Sequence, residues 1–122
     1  MASELISRHL CMTRDVGVQG NLFGGILLSW LDEAGAIFAM EHVGSRNLVT
    51  LKVGELVFTK SVKVHDVIFI YGEVTRRGRT SITVHLEARV HDVETDQQEQ
   101  VCTVDMIFVR INDKGVPTPL QG

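Results

Sequence analysis

A single long segment, Phe23 to His42, constrains the fold more than any other part of this chain, because it has a helical pattern and is apolar on nearly every face. Gly44 follows the segment, and glycine is typical of the position just after a helix. A helix that is apolar all round is stable only when other structure covers it. The rest of the chain must therefore provide that cover.

Four segments after the helix have the composition of β-strands. In the clearest, Thr80–Val90, apolar residues at even positions alternate with polar residues at odd positions. Val67–Val74 is apolar on both faces, as expected for a strand with a neighbour on each side. The other two are Val49–Phe58 and Gln100–Ile111. Short turn sequences separate the late strands, so we expect antiparallel pairing, because parallel pairs need long crossovers.

Together these elements predict an α+β fold with one long central helix and about five antiparallel strands. The length of 122 residues fits a single domain, 1–122. A curved sheet that wraps around one helix buries the apolar surface of both, and this arrangement is the hotdog fold. The tail after Ile111 combines turn residues with two prolines, so we predict a turn and then a loose end.

Composition and charge argue against several classes of function. The net charge is −3 and the pI is near 5.9, whereas nucleic-acid-binding domains are usually basic. The first residues lack the order of a signal peptide, and no apolar run reaches the roughly 18 residues of a membrane span. We therefore expect a soluble, cytoplasmic protein without nucleic-acid or membrane partners. Cys11 and Cys102 lie in apolar runs without zinc-ligand spacing, which indicates reduced core thiols and no metal site.

Asp32 is the residue of the helix that most needs an explanation. It shares one face with Gly25, Ser29 and Ala36, a stripe of small residues that invites close approach by a sheet, a partner helix or a ligand. Aspartate is a poor residue for a helix interior, and a charged carboxylate in apolar surroundings is costly unless it is paired or functional. Asp32 is either a functional carboxylate, a solvated one, or the partner of an arginine at a subunit contact. Glu33 is the second candidate.

The helix opens with Gly24 and Gly25, and glycine usually weakens a helix. Two glycines leave bare backbone N–H groups at the positive end of the helix dipole, where a substrate carbonyl can approach closely. The sequence therefore predicts an oxyanion-binding site at Gly24 and Gly25, with tight packing of the chain as the alternative.

The segment Gly20 to Ala39 resembles the helix signature of the hotdog acyl-CoA thioesterases, most closely the bacterial YciA type and the related cytosolic acyl-CoA hydrolases. The resemblance continues through Val49–Asp66 and the turn Arg76–Ser81. It implies hydrolysis of an acyl-CoA to a carboxylic acid and CoA, with no cofactor beyond the CoA of the substrate. By the same resemblance, Asp32 is the catalytic carboxylate, either a general base or a nucleophile, and the N–H groups of Gly24 and Gly25 form the oxyanion hole.

The resemblance also implies substrate-binding residues and an oligomer. Thr50 looks like the family's substrate-side threonine, and basic residues near the turn Arg77–Ser81 are expected to meet the CoA phosphates. The expected unit is a homodimer with shared active sites, assembled as three dimers in a hexamer. The full set of predicted substrate and CoA contacts is Asn21, Phe23, Thr50, Lys60, Arg77, Gly78, Arg79, Thr80 and Ser81, with Lys63 close to them.

Two positions depart from the family pattern. Members usually carry an asparagine where this chain has Gly17, and a proline where it has Ser61. Some members use that asparagine to position substrate or water, so its role here is vacant or passes to a neighbour such as Gln19.

Two other functions stay open from the sequence. One is a hotdog hydratase or dehydratase, which usually places a histidine or an Asp/His pair in the loop before the helix, although Asp15 to Phe23 contains no histidine. The other is a non-catalytic acyl-CoA-binding subunit.

Overall fold

A computed structural model describes residues 3–120 of the chain, in which one helix lies across a five-stranded antiparallel sheet. The strand order is β1-β3-β4-β5-β2. This confirms the predicted α+β hotdog architecture. In chain order the elements are β1 (Glu4–Leu10), a 3₁₀ helix (Thr13–Asp15), α1 (Gly24–Val43), β2 (Leu48–Val53), β3 (Val67–Arg77), β4 (Ser81–His91) and β5 (Gln98–Arg110).

The bounds of α1 follow from backbone chemistry at its two ends. Phe23 is extended and precedes the first helical residue without any side-chain cap. Gly44 ends the helix in the left-handed conformation, with φ 78°, and its N–H donates to the carbonyl of Met40 at 2.7 Å. This is the glycine C-cap that satisfies a terminal carbonyl, and it confirms the predicted end of the helix.

The core lies between α1 and the concave face of the sheet. The bulky stripe of the helix is buried and packs against the alternating apolar residues of β4 and β5. Gly35 marks the closest approach, because a Cβ atom there would lie 2.9 Å from Leu86 Cδ1 and 3.4 Å from Phe108 Cζ. The buried stripe consists of Leu27, Leu31, Ala34 and Phe38.

The opposite side of α1 is not covered by this chain. Gly25, Ser29, Glu33, Ile37 and Glu41 are all exposed. The prediction of a helix buried on every face is therefore wrong for a single chain. The apolar residues of the edge strand β2, which is the next element after α1, are also exposed. These residues are Val49, Leu51 and Val53.

Two strands differ from the sequence prediction. β1 was not identified, and it pairs antiparallel with β3 along one edge of the sheet. β2 ends at Val53 instead of continuing to Phe58, because the chain leaves the sheet after Gly54 and crosses the start of α1. The crossing is held by backbone hydrogen bonds, from Thr59 N–H to Val101 O at 2.7 Å and from Leu22 N–H to Val62 O at 2.8 Å.

The tail after β5 is ordered, so the prediction of a loose end is wrong for residues up to 120. Leu120 is only 4% exposed and belongs to the core. Its N–H donates to the carbonyl of Arg79 at 2.9 Å, and Arg110 Nη1 donates to the carbonyls of Pro119 and Leu120. An arginine that binds two carbonyls and a leucine that fills the core hold the tail against the turn before β4.

Cys11 and Cys102 are both buried and free, which confirms the prediction of core thiols. Burial raises the pKa of both thiols, and that of Cys102 reaches about 11.

Within residues 3–120, no helix is long and apolar enough to cross a membrane.

Replacing Leu120 with alanine is predicted to lower the free energy of unfolding by about 2–4 kcal/mol, because it leaves a cavity in the core. Denaturant unfolding followed by circular dichroism measures this change. Val116→Ala is the matched control, since Val116 is exposed in the same tail and its loss should cost less than about 0.5 kcal/mol. Equal stability of both variants would contradict an anchored tail.

Candidate active site

Asp32 projects from α1 toward the edge strand β2. The Thr50 hydroxyl donates to Asp32 Oδ1 at 3.0 Å, across 18 positions of sequence. Asp32 is half-buried, and no basic side chain within residues 3–120 forms an ion pair with it. Within one chain the carboxylate is therefore oriented by a neutral hydroxyl, so that one of its oxygens stays available.

The first turn of α1 presents two backbone N–H groups that have no partner within residues 3–120. The next two N–H groups, of Ile26 and Leu27, both donate to the carbonyl of Phe23, at 3.1 and 3.2 Å. The N–H groups of Gly24 and Gly25 donate to no acceptor within residues 3–120. Free donors at the positive end of a helix are suited to an anion or a polarised carbonyl.

The two glycines have different surroundings. A Cβ atom at Gly25 would meet nothing within 4 Å, whereas one at Gly24 would lie 3.3 Å from the ring of Phe58. Gly24 thus fits the packing explanation offered by the sequence as well as the oxyanion explanation. Gly25 is not required for packing in this chain, and its N–H group is open to a ligand.

A cavity of about 430 Å³ lies at this end of the helix. Leu27 and Val62 make its wall apolar, while Lys60 and Ser61 bring polar atoms. Lys60 Nζ lies 3.4 Å from Glu99 Oε1. Three of the predicted site residues are brought together here. The cavity is lined by Asn21, Leu22, Gly24, Leu27, Phe58, Thr59, Lys60, Ser61 and Val62.

The predicted CoA-binding turn lies at the other end of α1. Arg77 and Arg79 are exposed, and Arg77 Nη1 donates to the carbonyl of His42 near the helix C-terminus at 3.4 Å. The Gly78 N–H donates to Ser81 O at 2.8 Å, which closes the turn, and Thr80 O accepts from the Arg110 N–H. Because α1 is about 30 Å long, one chain does not bring this turn together with Lys60.

Asp32 and Gly25 are likewise apart within one chain. Seven positions of helix separate them, which is about 10 Å along the axis. Hydrogen bonds in catalysis reach only about 3 Å. A single carbonyl group therefore cannot contact both the glycine donors and the carboxylate of the same helix.

The other predicted residues are placed as follows. Phe23 precedes α1 and is 54% exposed, and a Cβ atom at Gly17 would lie 3.0 Å from its ring. Gln19 is exposed and does not line the cavity.

The sequence did not predict that the ring of Phe58 lies over Gly24. Phe58 was assigned to the end of a predicted strand, and its contact with Gly24 joins distant segments, so no local pattern could have indicated it.

Comparison with known proteins identifies the family. The model of the thioesterase superfamily matches residues 19–96. This chain belongs to the thioesterase superfamily. The acyl-CoA thioester hydrolase YciA of Salmonella typhimurium is 36% identical over 120 residues, which are 96% of this chain and 90% of the relative. An uncharacterised acyl-CoA thioester hydrolase of Haemophilus influenzae is 35% identical, over 91% of this chain and 73% of the relative.

Solved structures share the same fold. A hexameric thioesterase from Yersinia pestis superposes with a TM-score of 0.89 at 34% identity, covering 98% of this chain and 96% of that one. An acyl-CoA hydrolase from Staphylococcus aureus, in complex with butyryl-CoA and CoA, superposes with a TM-score of 0.89 at 28% identity, covering 95% and 70%. Variants of the Staphylococcus aureus protein carry alanine in place of one asparagine or one aspartate. In the Staphylococcus aureus protein, the replaced asparagine and aspartate have the same spacing as Gly17 and Asp32 in this chain.

Proposed function

We propose that this protein hydrolyses acyl-CoA thioesters to a carboxylic acid and CoA, with Asp32 as its catalytic carboxylate. The observation that carries this is the carboxylate itself, which is half-buried on the helix of a thioesterase-superfamily chain and held by Thr50. The relatives named above support the substrate class, since they are acyl-CoA thioester hydrolases and one was solved with butyryl-CoA.

The chemistry requires few groups. The N–H groups of Gly24 and Gly25 donate hydrogen bonds to the thioester carbonyl oxygen as it gains negative charge, and water or Asp32 attacks the carbon. If Asp32 is a general base, it removes a proton from the attacking water. If it is a nucleophile, it forms a mixed anhydride that water then hydrolyses. Because a thiol has a pKa of about 8.5, the thiolate of CoA leaves without a dedicated acid. We propose no metal and no cofactor.

The hydratase alternative finds no support in the site. That chemistry usually uses a histidine, or an Asp/His pair, near the helix start, but no histidine lines the cavity and none hydrogen-bonds to Asp32 within residues 3–120. A purely binding subunit would not need a carboxylate oriented by a hydroxyl. Hydrolysis is therefore the function that this arrangement fits best.

The active site is proposed to be shared between two copies of the chain. Two antiparallel helices side by side would bring the glycine donors of one protomer to Asp32 of the other. The exposed apolar edge of β2 and the small residues around Asp32 would allow that approach. We propose a homodimer as the minimal unit and three dimers in the complete assembly, in line with the hexameric relative.

The CoA phosphates are proposed to bind the exposed arginines of the turn Arg77–Ser81, with Lys60 on the cavity side. In an antiparallel pair, the helix end that carries this turn in one protomer approaches the cavity at the helix start of the other. The separation of about 30 Å within one chain is then no obstacle. Guanidinium groups bind phosphate oxygens in pairs, which suits Arg77 and Arg79 to this role.

Asp32→Asn is predicted to lower kcat for acyl-CoA by about 10³-fold while KM changes far less, because the change removes basicity and charge but keeps the side-chain shape. The asparagine oxygen can still accept from Thr50, so the fold should be retained. Steady-state release of free thiol measures the rates. Glu33→Gln is the matched control, an exposed carboxylate one position along, and it should keep wild-type activity. A kcat near wild type in Asp32→Asn would exclude Asp32 as the catalytic carboxylate.

Removing charge from the turn is predicted to weaken CoA binding. Arg77→Gln and Arg79→Gln should each raise the Kd for CoA by about tenfold, the effect of losing one charged hydrogen bond. The Kd of the wild type should also rise with salt, since screening weakens exposed charge pairs. Isothermal titration calorimetry measures both effects. Arg8→Gln is the control, because Arg8 pairs with Phe69, about 26 Å along β3 from Arg77. Salt-independent binding, unchanged by either variant, would place the nucleotide elsewhere.

Subunit mixing tests the shared site. Asp32→Asn protomers and Gly25→Leu protomers should each be inactive, the second because leucine covers the oxyanion donors while open space lets it fold. Refolded together in equal amounts, they should regain about a quarter of wild-type activity, since half of the dimers are mixed and each mixed dimer has one intact site of two. Activity that stays at the level of the separate variants would show that each protomer holds a complete site.

A further inference from the structure

The cavity at the start of α1 contains one side-chain amide, that of Asn21. The backbone places Asn21 opposite Lys63 in an isolated antiparallel bridge. The ammonium group of Lys63 donates to Asn21 Oδ1, so the two side chains meet on the same side of this bridge. Asn21 lines the cavity and Lys63 does not.

The partner determines which way the amide points. Lysine is only a donor, so the atom of Asn21 that faces it must be the carbonyl oxygen. The NH₂ group is then turned away from Lys63 and donates to no acceptor within residues 3–120, and Asn21 is one of the residues that line the cavity. Two N–H donors of a neutral amide are thus available to a group bound in the cavity that Gly24 also lines.

We propose that the Asn21 amide is a further catalytic donor, which hydrogen-bonds the thioester carbonyl oxygen alongside the N–H groups of Gly24 and Gly25, and that Lys63 is its positioning residue. This inference rests on the proposed thioesterase function and adds a named group to the same site. A donor held in place before the reaction stabilises the charge that develops on the oxygen, and one such donor contributes about 10²–10³-fold to kcat in enzymes of this kind of chemistry.

The neighbouring residues are less suited to this role. Gly17 has no side chain, and the ring of Phe23 occupies the space where one would begin. Gln19, which the sequence left as a candidate, is exposed and lies outside the cavity lining. Lys60 is a cation at the cavity wall, but it lies 3.4 Å from the carboxylate of Glu99. Among the neutral side chains of the cavity lining, the Thr59 hydroxyl already donates to main-chain carbonyls and Ser61 is exposed, so the amide of Asn21 is the donor best suited to the substrate carbonyl.

Asn21→Asp separates a donor role from a packing role. Aspartate has the same shape and keeps a partner for Lys63, yet it presents an acceptor to the substrate carbonyl instead of a donor. Asn21→Asp and Asn21→Ala should both lower kcat by about 10²-fold or more with a much smaller change in KM. Gln19→Ala should keep wild-type kcat. Thermal unfolding of each variant checks that the fold is retained.

A double-mutant cycle tests the role of Lys63. Lys63→Met should lower kcat in the wild-type background, because the amide loses its fixed orientation, and should have no further effect in the Asn21→Ala background. Additive losses would mean that Lys63 acts on the substrate directly and would overturn its positioning role. Lys63→Met with wild-type kcat would overturn it as well.

The failure of this inference differs from the failure of the proposed function. If the wild type hydrolyses acyl-CoA and Asp32→Asn does not, a wild-type kcat in Asn21→Asp overturns the donor role of Asn21 alone. A loss confined to KM would place Asn21 on another part of the substrate and would overturn it too. If the wild type hydrolyses no acyl-CoA, both proposals fail.

Discussion

The close packing of α1 on the concave face of the sheet is the interaction on which the rest of the structure depends. At Gly35 the helix has no side chain, and Leu86 and Phe108 occupy the space that a Cβ atom would need. Glycine in a helix interior costs about 1 kcal/mol relative to alanine. That cost is offset because close approach lets the neighbouring buried stripe, from Leu27 to Phe38, be covered by the sheet.

This packing also determines where the polar residues of the helix lie. Once the bulky stripe faces the sheet, Asp32 is rotated to the flank beside β2, where the Thr50 hydroxyl meets it. The first turn is held under the crossing segment after β2, where Phe58 lies over Gly24. A carboxylate in the middle of the helix and free donors at its start are thus consequences of one packing arrangement, and not of separate local structures.

The sequence predicted those elements whose signal is local. The helix, its glycine cap and the alternation in β4 could be predicted because burial on one face imposes a period on the residues. Asp32 could be singled out because aspartate is unexpected in an apolar helix. Thr50 was singled out only by the family resemblance, and its hydrogen bond to Asp32 was not predicted. β1 was missed because its seven residues mix charged and apolar types without alternation. The anchoring of Leu120 and the pairing of Asn21 with Lys63 join distant segments, so no local pattern carries them.

A single chain leaves two deficits, and both lie on the same side of the molecule. One is energetic, since Val49, Leu51 and Val53 on the edge strand expose apolar surface that burial would stabilise by about 25 cal/mol per Å². The other is chemical, since about 10 Å of helix separates the glycine donors from Asp32. Because Thr50 belongs to that same edge strand, a contact that covers β2 also surrounds the carboxylate. In our proposal, the association that buries the apolar edge is therefore the event that completes the active site.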